Sequence, residues 1–425
     1  MYVFLIVASP YFLLKILTTD KYKQGIIQRC GLLPRHITNR LAGENIIWIH
    51  AVSVGEAQTA FPLVKELQSQ YPDEHFILST TTATGQKVAK NWAQNNKRIT
   101  VIFFPLDFAH TFHYIFKRLS IKCIVLMETE IWPNFLMEAY RHSVPVVLAN
   151  GRISDKSYKG YSRLRNLFYQ SVRSIRYFCM QDKLDADKLL RLGINPERVM
   201  VAGNLKYEVC AAMPVDQSIA DNLRDTLRWT DDEPVFVAGS THQGEEEIVC
   251  QSYITVKKSV RNLKMILAPR HPERLAQAEK VLSDFGIKYI RKTLADKNSQ
   301  ATHGVDAVLL DTMGELRHLY AMATVAFVGK SLVPGGGQNI LEPASLGKPV
   351  VFGPYMDNFE QVSKQILSAN AGIMVNNGKE LTETLSALFS QKSMRNKIGG
   401  NAVKEIKRWH GTTDKIVRCI RQVYH

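Results

Sequence analysis

The chain has 425 residues, of which 45% are hydrophobic and 22% charged, enough for two ordinary domains with their own cores and too apolar for wholesale disorder. The net charge is +15, and most of it lies in residues 1–210, where 27 Lys and Arg stand against 16 Asp and Glu. This half therefore has either a solvated basic surface or an anionic partner. The six cysteines are scattered without a C-x-x-C pair, which argues against a zinc site or a disulfide framework.

The first predicted element is an apolar segment, residues 1–17, whose only charge is Lys15. It is short for a membrane span, which needs about 20 residues, and it lacks the basic start and the cleavage site of a signal peptide. Lys21, Lys23 and Arg29 follow it, and the positive-inside tendency then places the downstream chain in the cytoplasm. We predict a membrane anchor over residues 1–20, spanning the bilayer or lying in its interface; the alternative is a buried core helix.

Beyond the anchor, short apolar runs rich in β-branched residues alternate with segments long enough for crossover helices. Such runs are typical of strands buried on both faces of a parallel sheet. This alternation of predicted strands and helices is interrupted near 205–214 and then begins again, which predicts two doubly wound α/β domains, residues 21–210 and 211–425. The predicted strands are 46–52, 76–80, 99–104, 121–127 and 144–149, then 235–238, 265–268, 307–310, 325–328 and 350–352.

Acidic residues follow two predicted strands of the first domain. Residues 50–56 read HAVSVGE, which places Glu56 in the first turn of a helix at the carboxyl edge of the sheet, where open α/β folds bind ligands. Residues 127–134 read METEIWPN and place Glu128 and Glu130 after another strand. A carboxylate at this edge is a candidate general base, but it can equally be a helix-capping or salt-bridge residue.

Two further features of the first domain suit a polar or anionic ligand. Residues 80–85, TTTATG, form a hydroxyl- and glycine-rich strand end that fits a phosphate or an ordinary helix cap. The segment 152–176, here called the basic segment, has seven basic residues against one acid, Asp155, with aromatic residues interleaved. It fits an acidic lipid headgroup, an anionic membrane surface or a nucleic-acid backbone, and equally a solvated helix face.

Four motifs at strand ends of the second domain indicate a nucleotide site. They are GSTHQGEEE at 239–247, APRHPER at 268–274, DTMGEL at 311–316 and GKSLVPGGGQN at 329–339. Arg270 can clamp a phosphate, a helix starting near Asn339 offers it free N–H groups, and Glu342 can accept hydrogen bonds from ribose hydroxyls. Neither a P-loop nor a G-x-G-x-x-G fingerprint is present, so no dinucleotide cofactor is predicted.

Together these motifs resemble those of the Kdo transferases of lipopolysaccharide synthesis, glycosyltransferase family 30, whose substrate Kdo is an acidic eight-carbon sugar. The motifs above, with NGRIS at 150–154, GNLKYE at 203–208 and NILE at 339–342, occur in the order typical of that family. The resemblance covers about residues 50–359. Two positions of the glycine-rich loop 329–339, here called the donor loop because the resemblance implies that it binds the sugar donor, depart from the family pattern. Lys330 stands where many members have glycine, and Gln338 where many have histidine.

The resemblance implies a GT-B fold, in which two Rossmann-like domains face each other across a cleft, the first binding the acceptor and the second the donor. It implies that Glu56 is the general base and that Glu128 and Lys206 stabilise the transition state, although spacing alone gives no reason to choose Lys206. It also implies that CMP is bound by Pro269, Arg270, Met313, Gly314, Glu315, Asn339, Ile340, Leu341 and Glu342.

The expected reaction is a direct displacement. Glu56 takes the proton from a glucosamine hydroxyl of the lipid A precursor lipid IVA, and the oxygen of that hydroxyl attacks Kdo and releases CMP. CMP-Kdo is then a substrate, and no cofactor or metal is expected, because protein groups neutralise the leaving phosphate. The expected partners are CMP-Kdo, the lipid A precursor and an anionic membrane surface. The expected location is the bacterial inner membrane, with the catalytic domains on its cytoplasmic face.

Two other functions are compatible with parts of the sequence. Another GT-B enzyme with a different nucleotide sugar would prefer UDP to CMP as a ligand. A basic nucleic-acid-binding protein, suggested by charge alone, would show salt-dependent binding to nucleic acid of any sequence. Since the chain has no helix-turn-helix, zinc-finger or RNP pattern, nucleic acid is not an expected partner.

Overall fold

The computed structural model describes residues 24–297, 302 and 304–424. They form two compact units: one comprises the described residues up to Val209 and those from Trp409 onward, and the other is Cys210–Arg408. The predicted anchor, residues 1–20, lies outside the described residues. Among the residues that are described, no helix is both long and apolar enough to cross a membrane.

The first unit is built on a sheet of seven parallel strands. These are β1 (Asn45–His50), β2 (His75–Thr80), β3 (Ile99–Phe103), β4 (Ser120–Met127), β5 (Val146–Gly151), β6 (Ile175–Met180) and β7 (Val199–Val201). Their order is β3-β2-β1-β4-β5-β6-β7. The chain runs from β1 out to β3 and returns to β4 on the other side of β1, so the carboxyl ends of β1 and β4 flank the switch point where doubly wound sheets bind ligands.

Helices cover both faces of this sheet. Ile46 and Trp48 of β1 pack into one core, and the alternating Ile47 and Ile49 pack into another. Burial on both faces is why the strands read as continuous apolar runs. The helices are α1 (Ile26–Arg29), α2 (Arg35–Leu41), α3 (Val54–Gln70), α4 (Ala83–Ala93), α5 (Ala109–Arg118), α6 (Pro133–Arg141), α7 (Asp155–Arg163), α8 (Arg165–Ser171), α9 (Lys183–Leu192) and α10 (Leu205–Ala212), which contains the boundary between the units.

The second unit repeats this architecture. Its strands are β8 (Val235–Thr241), β9 (Lys264–Pro269), β10 (Tyr289–Arg291), β11 (Ala307–Leu309), β12 (Val325–Val328), β13 (Val350–Phe352) and β14 (Ile373–Met374), all parallel, in the order β10-β11-β9-β8-β12-β13-β14. The switch point here lies between β8 and β12. The helices are α11 (Gln217–Leu227), α12 (Glu245–Lys257), α13 (Leu275–Asp284), α14 (Lys292–Ala295), α15 (Leu316–Leu319), α16 (Leu341–Ser345), α17 (Glu360–Ser368), α18 (Gly378–Ser390) and α19 (Lys392–Arg408).

The expectation of two doubly wound α/β domains is confirmed, and each of the ten predicted apolar runs overlaps a strand. The strands that the sequence did not indicate are β6, β7, β10 and β14. Three of these have only two or three residues. Runs so short carry no periodicity that separates a strand from a loop.

The last helix, α20 (Thr412–Val423), belongs to the first unit, whereas the predicted second domain extended to residue 425. Its Ile416 and Ile420 are buried in the first unit's core together with Leu205. The Glu208 carboxylate also accepts a hydrogen bond from the Thr413 N–H at 2.8 Å. The sequence of an amphipathic helix shows that one face covers a core, but not which core it covers. The predicted end of the second domain, residue 425, therefore differs from the end of the second unit, Arg408.

Candidate active site

Glu56 lies in the first turn of α3, just beyond the carboxyl end of β1. Ser53 is the N-cap of this helix, and its Oγ accepts a hydrogen bond from the Glu56 N–H at 3.4 Å. The carboxylate reaches back: Oε2 accepts from the Val52 N–H at 2.9 Å, and Oε1 accepts from the Ser53 hydroxyl at 3.0 Å. In this variant of the capping box the carboxylate accepts from the N–H of the residue before the N-cap. Glu56 therefore caps the helix, as the alternative interpretation expected, and the same bonds fix the direction of its carboxylate at the edge of the sheet.

The Glu56 carboxyl is partly buried, and this burial raises its pKa above the ordinary value. The Glu128 carboxylate raises the pKa further, whereas the hydrogen bonds from Val52 and Ser53 and the Lys206 ammonium lower it. A carboxylate whose pKa is raised is a stronger base than one in water. The electrostatic influence of Glu128 and Lys206 on this pKa also means that the three residues to which the resemblance gives catalytic roles lie near one another.

Glu128 follows β4 directly and has a left-handed backbone, with φ at 56°. Its N–H donates to the Ala149 carbonyl at 2.9 Å. The residue is only 5% exposed, so its charge needs partners. Arg152 Nε lies 3.1 Å from one carboxylate oxygen, and Lys206 Nζ lies 3.3 Å from the other. The strained turn at the end of β4 thus holds a buried carboxylate between two cations.

Three buried polar side chains fix the position of Lys206 at the start of α10. Asn150 Oδ1 accepts from the Leu205 N–H, and Asn204 Oδ1 accepts from the Lys206 N–H, both at 3.0 Å. Gln181 joins the two asparagines, because its Nε2 donates to the Asn150 carbonyl at 2.9 Å and its Oε1 accepts from Asn204 Nδ2 at 3.1 Å. These residues are far apart in the chain, which is why spacing gave no reason to select Lys206.

Glu130 is a third carboxyl group in this region. Burial, followed by the nearby Glu56 carboxylate, raises its pKa to about 7. The sequence placed Glu130 beside Glu128 at the strand end, but the resemblance gave a role to Glu128 alone. A carboxyl group that titrates near neutral pH can gain and lose a proton under working conditions. The first unit therefore holds a second group suited to proton transfer.

His50, at the end of β1, belongs to the core instead. Its Nδ1 lies 2.9 Å from Ser79 Oγ, and its ring stacks on Phe104 with the ring centroids 3.8 Å apart. Burial lowers the pKa of this imidazole to about 3, so it is neutral at physiological pH. His50 is therefore unsuited to a role in which it carries a proton away from a substrate.

In the second unit, a buried carboxylate organises the predicted donor loop. Glu245, at the start of α12, is 0% exposed, and its two oxygens accept hydrogen bonds from four backbone N–H groups. The donors are His242 at 2.9 Å, Lys330 at 2.5 Å, Ser331 at 2.8 Å and Leu332 at 2.8 Å. Lys330 has φ at 57°, a conformation that glycine adopts more easily, which accounts for glycine being common at this position in the family that the sequence resembles.

Asn339 and Glu342 follow β12, at the carboxyl edge of the second sheet. Asn339 Oδ1 accepts from the Leu341 N–H, and its Nδ2 donates to Glu342 Oε1, both at 3.2 Å. Burial raises the pKa of Glu342, although the Arg317 and Arg270 guanidiniums oppose this. The helix expected near Asn339 is α16, which starts at Leu341 and has five residues. The macrodipole of a helix is the sum of its aligned peptide dipoles. A helix as short as α16 therefore offers a ligand little beyond its free N–H groups.

The other predicted CMP-binding residues lie at the same edge. Pro269 ends β9, and the next residue, Arg270, donates its N–H to the Thr241 carbonyl at 3.0 Å while its side chain is exposed. Residues 313–315 follow β11: Met313 is 68% exposed, Gly314 has φ at 91°, and Glu315 Oε2 lies 3.3 Å from Lys292 Nζ. All nine predicted residues thus lie at or after the carboxyl ends of β9, β11 and β12, on the edge of the second sheet where doubly wound folds bind ligands.

The chain is similar in sequence to known transferases. The sequence profile of the family described as 3-deoxy-D-manno-octulosonic-acid transferase (kdotransferase) matches residues 24–209. A 3-deoxy-D-manno-octulosonic acid transferase of Haemophilus influenzae is 30% identical over 404 residues, which cover 95% of this chain and 92% of that protein. A bifunctional glycosyltransferase/methyltransferase of Fusobacterium nucleatum is 35% identical over 358 residues; the match covers 84% of this chain but only 55% of that longer protein.

Solved structures of low sequence identity share the fold. The UDP-GlcNAc 2-epimerase of Neisseria meningitidis aligns with a TM-score of 0.62 at 13% identity, covering 89% of this chain and all of that one. A glycosyltransferase of Rickettsia africae aligns with a TM-score of 0.55 at 13% identity, covering 89% of this chain and 98% of that one. At such identity the likeness concerns the fold alone, and with the two doubly wound sheets it confirms the expected GT-B fold class.

Proposed function

Because the chain belongs to the Kdo transferase family and is thus a glycosyltransferase that transfers Kdo, we propose that its donor is CMP-Kdo and its acceptor the lipid A precursor lipid IVA, in synthesis of the lipopolysaccharide core. One observation carries the catalytic part of this proposal. The Glu56 carboxylate is fixed at the switch point of the first sheet, and burial and Glu128 raise its pKa.

Glu56 is the general base of the proposed reaction. It takes the proton from a glucosamine hydroxyl as that oxygen bonds to the anomeric carbon of Kdo, and the bond from this carbon to the phosphate oxygen breaks, releasing CMP. The raised pKa supports this role, because it increases the affinity of the carboxylate for the proton. The capping box uses one hydrogen bond to each carboxylate oxygen, and an ionised carboxylate has capacity left for the acceptor hydroxyl.

Glu128 and Lys206 stabilise the charges of the proposed transition state. Positive charge develops on the sugar ring as its bond to the phosphate breaks, while negative charge grows on the leaving CMP. The buried Glu128 carboxylate suits the first, and the Lys206 ammonium suits the anionic groups of the donor. The two groups form an ion pair with 3.3 Å between Lys206 Nζ and Glu128 Oε1, which holds both charges in place before the substrates arrive. The side chains therefore need little reorganisation during the reaction.

The proposal assigns CMP to the carboxyl edge of the second sheet. The exposed Arg270 guanidinium suits the phosphate, and the half-buried Glu342 carboxyl suits a ribose hydroxyl. The other proposed CMP-binding groups are the backbone N–H groups near Asn339 and the segment 313–315. The proposal includes no cofactor and no catalytic metal, because cationic side chains and backbone N–H groups can neutralise the leaving phosphate.

The proposed acceptor is a phosphorylated lipid, and the proposed location is the cytoplasmic face of the bacterial inner membrane. Two features support this. The apolar residues 1–17 are followed by lysines, as in an interfacial or spanning anchor. The basic segment forms α7 and α8, where no residue of α7 is buried and Leu164 and Leu167 are 61% and 48% exposed. Exposed leucines among basic residues suit the surface of an anionic membrane.

The test is product analysis with purified full-length protein. Incubation with CMP-Kdo and lipid IVA should give a lipid heavier by one or more Kdo units in mass spectrometry. A matched reaction with a UDP-sugar in place of CMP-Kdo should leave the lipid unchanged. Transfer from the UDP-sugar, or none from CMP-Kdo, would contradict the proposed donor. Transfer of Kdo to another acceptor but not to lipid IVA would contradict the proposed acceptor alone.

A further inference from the structure

A second cluster of titratable side chains lies outside the candidate active site, on α5 and α6. His113 Nδ1 lies 3.2 Å from Glu138 Oε2, and His142 Nε2 lies 3.7 Å from the same oxygen. One ligand-type atom from each residue lies within 4.8 Å of the other two. We propose that His113, Glu138 and His142 bind a divalent transition-metal ion, and that Zn²⁺ is the ion that fits them best.

The chemistry and spacing of the three ligand atoms support zinc. Two imidazole nitrogens and one carboxylate oxygen are ligands that Zn²⁺ favours, whereas Mg²⁺ and Ca²⁺ prefer oxygen ligands alone. Ligand atoms about 2.0–2.1 Å from a tetrahedral zinc ion lie roughly 3.3 Å from one another. The two nitrogen–oxygen separations, 3.2 and 3.7 Å, are close to this value, and one nitrogen of each imidazole lies within 4.8 Å of the other. Side-chain rotations that bring the two imidazoles closer together would complete the site. Three protein ligands leave the fourth position to water.

The fold holds the ligands on two adjacent helices. Glu138 lies in α6 and His142 is its C-cap, so the two are four residues apart on one face of the helix. His113 lies in the middle of α5, which packs beside α6. Phe116 of α5 and Phe135 of α6 share a core, with their ring centroids 5.9 Å apart. This packing fixes the distance that the ion would bridge.

Glu138 also has the environment of a metal ligand. Its side chain is 1% exposed, and Arg141 Nη1 lies 2.5 Å from Oε1, which leaves Oε2 directed at the two imidazoles. A partner that orients a ligating carboxylate through its other oxygen is typical of metal sites. The His113 and His142 side chains are 49% and 27% exposed, so an ion can reach the site from solvent.

The proposed ion lies far from the chemistry of transfer. His142 stands between the end of α6 and the start of β5, at the amino edge of the sheet, whereas Glu56 and Glu128 lie at the carboxyl edge. The ion would clamp α5 to α6 and stabilise the first unit, so this inference does not depend on the proposed reaction. It departs from the expectation of no metal. That expectation rested on the scattered cysteines and on protein groups that can neutralise the leaving phosphate, and neither argument considers two histidines 29 residues apart on different helices.

The test is metal titration of the full-length protein in detergent after treatment with a chelator. We expect one Zn²⁺ per chain in calorimetry, and we expect bound Co²⁺ to give the visible absorption of a tetrahedral site. His113→Asn and His142→Asn should each weaken Zn²⁺ binding by at least ~100-fold, since even outer-shell partners change affinity about 10–100-fold. Both should also abolish the rise in unfolding temperature that Zn²⁺ causes.

His110→Asn is the matched control, because His110 is an exposed histidine on α5 outside the cluster, and it should keep wild-type affinity. Wild-type protein that binds no Zn²⁺, or that gives an octahedral Co²⁺ spectrum, would overturn the proposal. So would His113→Asn and His142→Asn variants that bind Zn²⁺ as tightly as wild type. The Co²⁺ spectrum uses wild-type protein, so the proposal stays testable even if a variant fails to fold.

Discussion

The Lys206 ammonium lies 3.3 Å from Oε1 of the buried Glu128 carboxylate, and Arg152 Nε lies 3.1 Å from the other oxygen. The three residues come from the ends of different strands and from the start of α10, so only the folded unit brings them together. A buried carboxylate with two cationic partners tolerates the loss of one of them better than a simple pair does. The catalytic importance of Lys206 can therefore be tested without removing all compensation for Glu128.

Lys206→Ala should lower kcat by about 10²–10³-fold, the effect typical of losing one electrostatic group that acts in the transition state. The reason is that the variant lacks the ammonium next to the proposed reacting centre, while Arg152 still pairs with Glu128 and preserves the fold. Steady-state kinetics and the unfolding temperature should be measured together. Lys188→Ala, which breaks a 2.9 Å ion pair with Asp155 elsewhere in the unit, is the control and should keep kcat. A wild-type kcat in Lys206→Ala would remove Lys206 from the mechanism.

Glu130→Gln should change how stability depends on pH. In the folded chain burial raises the pKa of Glu130 to about 7, against about 4.3 for an unperturbed glutamate. The folded state therefore binds more protons than the unfolded state between these values, and the Glu130 contribution to the free energy of unfolding falls as pH rises through this window. Wild type should lose roughly 1–3 kcal/mol more than the variant between pH 5 and pH 8.

Urea unfolding at both pH values measures this difference. Glu197→Gln, at an exposed position, should follow wild type. Identical pH dependence in wild type and Glu130→Gln would show that the Glu130 carboxyl is not held in its neutral form.

The sequence predicted the fold well, because parallel strands buried on both faces leave apolar runs that are easy to detect. It also placed Glu56 and Glu128 at strand ends, since the carboxyl ends of parallel strands share an edge. It could not place Lys206, whose position depends on Asn150, Gln181 and Asn204, residues separated by 23 or more positions in the chain. Such a network has no local pattern, so only the resemblance to a known family indicated the lysine.

Glu245→Gln should weaken CMP binding by at least ~10-fold and lower the unfolding temperature of the second unit. The glutamine side chain has only one acceptor oxygen, and its NH2 group would face backbone N–H donors. Backbone N–H groups of the donor loop then lose their hydrogen-bond partner, which costs about 1–3 kcal/mol of stability for each unsatisfied group. Calorimetry with CMP and thermal unfolding measure the two effects. Glu247→Gln, at an exposed position of the same helix, should change neither. Unchanged CMP affinity in Glu245→Gln would mean that this loop does not bind the donor.

Arg270→Ala and Glu342→Gln should each raise the Kd for CMP by about 10–100-fold, as expected for the loss of a charged hydrogen-bonding group. The proposed partners are the phosphate for Arg270 and a ribose hydroxyl for Glu342. Calorimetry with cytidine separates them, because Arg270→Ala should leave cytidine affinity unchanged whereas Glu342→Gln should reduce it. Arg261→Ala, an exposed arginine of the same unit, is the control. Wild-type CMP affinity in both variants would place the donor site elsewhere.

The kcat of Glu56→Gln with CMP-Kdo and lipid IVA tests whether Glu56 is the general base. Glutamine serves in a capping box as glutamate does, so the start of α3 and its contacts with Val52 and Ser53 should persist while the base is lost. We expect kcat to fall by about 10²–10⁴-fold while CMP affinity and unfolding temperature stay near wild type. Near-normal turnover by Glu56→Gln would show that Glu56 is a helix cap and not the base.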